Sequence, residues 1–195
     1  MSRLLIWVLL GAGLAGLLQA NYLQLKASLA QQLIAHHWSR LQQAAVSHAE
    51  LEGKPWAWAD FQPVAKLRWQ AQEHYVLSST SGQALAFGPG HLSSSAQPGY
   101  PGRSIIAGHN DSHFAFLEFV RDGDELQLEN LHGKQNAYKI TAIDIVDSRD
   151  TKLLNDSQDE LLLVTCYPFR SLTSNSPYRL VISAAPSTAQ AYTRE

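Results

Sequence analysis

From residue 64 onward the chain breaks into short apolar or alternating stretches, each closed off by Gly, Pro, Asn, Asp or Ser, with no strand–helix–strand alternation among them. Runs of this length with such punctuation read as β-strands. The pattern predicts eight, over residues 64–69, 74–79, 83–87, 103–107, 124–130, 135–147, 160–166 and 178–184. His132-Gly133 joins the fifth and sixth as a hairpin. "GPGHLSSSAQPGYPG" is a loop between the third and fourth, "SRDTKLLNDSQD" links the sixth and seventh with room for one helical turn, and "YPFRSLTSNSP" links the last two. Short strands without crossover helices bury their apolar faces by closing the sheet on itself. The expected fold class is therefore mainly β, an eight-stranded closed or nearly closed barrel.

The first sixty residues obey different rules. Leu4 to Leu18 carries no charged or strongly polar side chain, and Arg3 precedes it. With Gln19 and Ala20 tolerated, the run reaches the lower length for spanning a bilayer, about 17 residues. A cleaved leader wants small residues at the −3 and −1 positions, and the best candidate, Leu18-Gln19-Ala20, has a bulky first member. An uncleaved signal anchor over residues 1–20 is favoured over a cleaved leader or a buried helix. Arg3 on the short side keeps the N-terminus in the cytoplasm and exports the rest. Residues 21–52 lack Pro and Gly, and Tyr22, Leu25, Leu29, Leu33 and Leu41 recur at helical spacing. A juxtamembrane helical stalk, or a packed helix continuing from the anchor, is expected over 21–53, about 48 Å long. Gly53 and Pro55 end it, and 54–195 forms the barrel domain. A hydrophobic fraction of 45% supplies a core, while a net charge of −2 without a basic stripe argues against nucleic acid as a partner.

The chain has one cysteine, Cys166, at the end of "LLLVTC". A lone thiol there reads either as a small core residue or, in an exported protein, as a reactive or intermolecularly paired group. A nucleophilic thiol needs a base or an electropositive neighbour. The best candidate is His109 in "SIIAGHNDSHF", which also follows an apolar strand, with Gly108 expected to allow a tight turn. His36, His37 and His48 fall on the stalk and read as solvated, and His74, His91 and His132 have no nameable partner. Arg179 opens the last strand, either as an edge residue extending to water or as a cation facing a developing oxyanion. Asp111 shares the face of His109 if that strand continues, where it orients the imidazole or stays solvated. Thr165 sits on the face opposite Cys166, suited to packing or a backbone hydrogen bond. A zinc site from His109, Asp111, His113 and Cys166 is the competing reading. A His-x-x-x-His pair suits a helix, and "AGHND" reads as strand followed by loop, so no metal and no cofactor is expected. A serine hydrolase is disfavoured because no Gly-x-Ser-x-Gly occurs.

"GHND", then "LLLVTC" with its Cys fifty-seven residues after the His, then Arg thirteen further on, closely resembles the sortases. These are membrane-anchored cysteine transpeptidases built on an eight-stranded barrel. Their signature strand ends Thr-Leu-x-Thr-Cys, and here it reads Leu162-Leu163-Val164-Thr165-Cys166, departing at the first position. The resemblance runs from about Lys54 to Ala184. "KPWAWADFQPVAKL", "FGPGHL", "AGHNDSHFAFL" and "TCYPF" are similar to the Gram-negative branch, class GN or marine proteobacterial sortases. That branch usually has Arg after the catalytic His, where this chain has Asn110.

The resemblance implies Cys166 as nucleophile, His109 as proton-transfer partner and Arg179 as substrate or oxyanion binder. It implies cleavage of a C-terminal sorting motif on a target protein through an acyl-enzyme, then transfer to an amine acceptor. The expected location is the inner membrane, single-pass, with the catalytic domain in the periplasm. The rival is a non-catalytic, membrane-anchored periplasmic binding module with a sortase-like barrel. Such a module has no need of all three residues.

Overall fold

The computed structural model describes residues 2–47, 53–149, 158–171 and 176–187. One helix, α1 (Ser2–Ser47), precedes eight strands: β1 (Pro63–Trp69), β2 (Gln72–Leu77), β3 (Gly90–His91), β4 (Arg103–Gly108), β5 (Glu125–Asn130), β6 (Gln135–Asp147), β7 (Glu160–Tyr167) and β8 (Tyr178–Pro186). They form a closed barrel in the order β1-β2-β3-β4-β7-β8-β6-β5, with β5 pairing back onto β1. The β2–β3 and β4–β7 pairs are parallel and the others antiparallel.

Strand alternation sorts the apolar residues onto two faces. Ala65, Leu67, Ile106, Leu126, Leu128, Leu161, Leu163, Leu180 and Ile182 point inward and meet Phe114 and Phe116 in the main core. Ile105, Leu162 and Val181 point outward and form a second buried cluster, against which Leu92, Val146 and Val164 pack. A strand covered on both faces needs no polar alternation, which is why β7 contains the unbroken run Leu161-Leu162-Leu163-Val164. Each such side chain, fully buried, contributes about 1.5–3 kcal/mol.

The third expected strand, 83–87, is instead a helix, α2 (Gly82–Phe87). The Ser81 hydroxyl accepts the Ala84 N–H at 3.0 Å, and Gln83-Ala84-Leu85-Ala86 are good helix formers with no β-branched residue among them. The eighth strand is the two-residue β3, inside the segment expected to be only loop. Gly90 permits it, because a Cβ there would run into the Ser79 carbonyl oxygen.

The docking face of α1 is also offset from the expected one. Ala30, Ile34, Trp38 and Leu41 are buried, whereas Tyr22, Leu29 and Leu33 are exposed. Trp38 stands 6.1 Å from Tyr75, and Lys66 lies 5.5 Å from the Tyr75 ring while pairing with Glu73 and Glu129 at 3.6 Å each. Gln42 donates to Glu129 at 2.6 Å. His37, expected to be solvated, is buried beneath this face, and burial lowers its pKa. Among the described residues, no helix is long and apolar enough to cross a membrane. Residues 48–52 of the expected stalk, His48 among them, most of the expected helical turn between β6 and β7, and the tail beyond residue 187 lie outside the described residues.

Candidate active site

Three strand ends build the site. β4 and β7 run in parallel with Ile105 opposite Leu162, Ala107 opposite Val164 and Gly108 opposite Thr165. The register is held at the start by Arg103, whose guanidinium pairs with Glu160 at 2.8 Å. His109 follows immediately after the last registered pair on the β4 side, as Cys166 does on the β7 side. On the other side of β7, Cys166 is directly opposite Arg179 of β8. Alternation puts Cys166 and Arg179 on the outer face, in line with Leu162, Val164 and Val181. Beneath them, the outward apolar cluster forms a floor.

Cys166 is a free, exposed thiol. His109 is exposed at the start of a turn in which the Phe114 N–H donates to the His109 carbonyl at 2.9 Å. Gly108 serves this turn through space rather than through an unusual backbone angle. A Cβ there would sit 2.8 Å from the ring of Phe114, which is fully buried. Thr165 is buried, and its hydroxyl donates to the Gly108 carbonyl at 2.7 Å. Arg179 is half-buried, and its Nη1 donates to the carbonyls of Ser176 at 2.9 Å and Tyr178 at 2.8 Å. Its head is thus held on the 176–178 segment by backbone oxygens.

Asp111 is not brought to the imidazole of His109. Strand β4 stops at Gly108, so the alternation argument no longer applies, and Asp111 is exposed in the following turn. Its charge is felt instead at His113, where burial lowers the pKa and a hydrogen bond to the Ala86 carbonyl opposes that shift. His113 meets His74 edge-to-face at 5.8 Å, and His74 stacks on Phe116 at 5.6 Å. Burial, reinforced by His113, holds the His74 pKa down at about 4. Among the described residues, no group of three or more His, Cys, Asp or Glu side chains is arranged to hold a metal ion.

A closed eight-stranded barrel with Cys, His and Arg at three neighbouring strand ends narrows the field, and a sortase-domain family model matches residues 65–187. The chain belongs to the sortase family. Sortase D of Bacillus subtilis (strain 168) is 35% identical over 109 residues, covering 55% of this chain and 54% of that protein. The chain thus spans about half the length of the curated relative it matches. Sortase A from Corynebacterium diphtheriae superposes with a TM-score of 0.58 at 26% identity, over 76% of this chain and 67% of that one. Clostridium perfringens sortase C, in a structure with the C-terminal cell wall sorting motif, shares the fold with a TM-score of 0.57 at 20% identity, over 83% and 89% of the two chains.

Two features around these strand ends were missed in the sequence. The floor residues Leu162, Val164 and Val181 could be read only as members of apolar strands, because strand pairing was unknown. The Asn110 side chain donates to the Pro168 carbonyl at 3.1 Å. The only signal for it was the residue's place immediately after His109.

Proposed function

We propose that this sortase is a cysteine transpeptidase that uses Cys166, His109 and Arg179. The observation that carries the reading is the cross-strand pairing of Cys166 with Arg179, at the end of a strand whose parallel neighbour leads into His109. The thiolate of Cys166 attacks a peptide carbonyl carbon, and the electron pair moves onto oxygen. Arg179 donates to that oxyanion. Collapse breaks the C–N bond as His109 protonates the leaving amine, which leaves a thioester on Cys166. An amine acceptor then attacks the thioester, His109 takes its proton, and the thiolate is released. The outward apolar floor suits an extended peptide with at least one apolar side chain. A C-terminal sorting motif on a target protein is the proposed substrate, supported by the fold shared with Clostridium perfringens sortase C, whose structure includes such a motif.

The membrane anchor over 1–20, the stalk over 21–53 and the barrel domain over 54–195 belong to the same proposal, with the barrel on the periplasmic side of the inner membrane of a Gram-negative cell. Leu5, Ile6, Trp7, Val8, Leu9 and Leu10 of α1 are all exposed, by 54% to 72%. A contiguous apolar surface of that kind calls for a non-aqueous partner. The class GN assignment is supported by the segments that carry the resemblance, above all "FGPGHL" and "TCYPF". N-terminal sequencing of membrane-purified protein tests the anchor: a mature N-terminus at Asn21 or later overturns it.

The central experiment traps the acyl-enzyme with candidate target proteins and identifies the captured fragment by mass spectrometry. A thioester on Cys166, absent in Cys166→Ala, is the expected result. Turnover by Cys166→Ala overturns the assignment, and a thiol that is never acylated leaves the binding-module reading in its place.

A further inference from the structure

The ladder between β4 and β7 ends at the Gly108–Thr165 pair, so His109 lies just beyond the last registered position. What holds it against the Cys166 segment is a set of side-chain ties on both of its flanks. On one flank, Thr165 Oγ1 donates to the Gly108 carbonyl at 2.7 Å. On the other, Asn110 Nδ2 donates to the Pro168 carbonyl at 3.1 Å, across 58 positions of sequence. The residues before and after His109 are therefore bonded to the residue before Cys166 and to the second residue after it. Farther out, Arg170 Nη2 reaches Glu118 Oε2 at 2.9 Å and ties the same two loops again.

We propose that Asn110 is a positioning residue, which sets the imidazole of His109 relative to the thiol of Cys166 by clasping the two turns together. The inference rests on the reading of Cys166 and His109 as a reacting pair. A carboxamide suits the task because it supplies N–H donors without a charge, so the clasp adds no electrostatic bias beside the imidazole. A residue outside a strand ladder keeps its own backbone freedom unless something removes it. Displacing a reacting group by about 1 Å can cost on the order of 10² in rate. The amide thus stands where the resemblance leads one to expect Arg, and it makes its own bond to the opposite turn.

The test is the pH profile of Cys166 alkylation by iodoacetamide, measured on the full chain together with its melting temperature. Five proteins are compared: the parent, Asn110→Ala, Asn110→Val, Asn110→Gln and His109→Ala. His109→Ala is expected to shift the profile, because the thiolate loses its partner. Asn110→Ala and Asn110→Val are expected to shift it in the same direction while still melting cooperatively, and Asn110→Gln, which keeps the amide donor, to move it back. The proposal is overturned if both donor-less variants titrate like the parent while His109→Ala does not, even if their melting temperatures fall. If His109→Ala itself titrates like the parent, there is no Cys–His coupling, and the proposal falls together with the reading it rests on.

Discussion

Cys166 on β7 and Arg179 on β8 are direct cross-strand partners. Residues in that relationship have Cα atoms about 4.5–5.5 Å apart and side chains on one face of the sheet. Arg179 Nη1 donates from this position to two backbone carbonyls, at 2.8 and 2.9 Å.

That anchorage makes the guanidinium geometry the testable quantity. An ammonium is a compact point charge and cannot reproduce a planar fork with several donors. Arg179→Lys and Arg179→Ala should both slow acyl-enzyme formation at least tenfold, toward the 10²–10³ typical of a lost oxyanion donor, with little change in melting temperature. Normal acylation in both would confine Arg179 to holding the loop carbonyls.

Gly108→Ala should be harmful out of proportion to one methyl group. The new Cβ would lie 2.8 Å from the buried Phe114 ring, which has no room to retreat. Overpacking of this kind costs about 1–3 kcal/mol, and relief by shifting the turn would displace His109. Thermal melting and acylation should both suffer. A variant with parental values in each would show that the Phe114 side of the turn is soft.

The docking of α1 predicts a contrast between two of its apolar residues. Trp38 is 1% exposed and Leu29 is 56% exposed. Trp38→Ala should destabilise the protein by about 3–5 kcal/mol, while Leu29→Ala should leave denaturant unfolding of the barrel within about 0.5 kcal/mol of the parent. Equal effects would mean that α1 does not dock through this face.

Stability should fall on mild acidification. In the unfolded chain His74 takes up its proton near pH 6.5, whereas in the fold burial and His113 hold it at about 4. Between those values the unfolded state binds more protons, so stability declines as pH drops from about 6.5 to 4 and is unaffected by this group above 6.5. His74→Phe should flatten the decline. The ring stacks on Phe116, and its buried Nε2 has no hydrogen-bond partner to lose. Melting temperatures at pH 7.5, 6 and 5 decide it, and an unchanged slope in His74→Phe would assign the acid sensitivity elsewhere.

Much of this protein is written locally. Alternation and turn residues predicted seven of the strands to within a few residues, because period-two patterning and Gly, Pro or Asn punctuation act over short stretches of chain. The helix over Gly82–Phe87 read as a strand over 83–87 because its capping Ser81 lies outside that window, and β3 was invisible because two residues carry no period. Cys166, His109 and Arg179 could be singled out by residue type and their positions at strand ends. The cross-strand pairing of Cys166 with Arg179, the offset docking stripe of α1 and the clasp from Asn110 to Pro168 were decided only by tertiary structure. Each depends on register between segments far apart in sequence, and register is set by how the whole barrel closes.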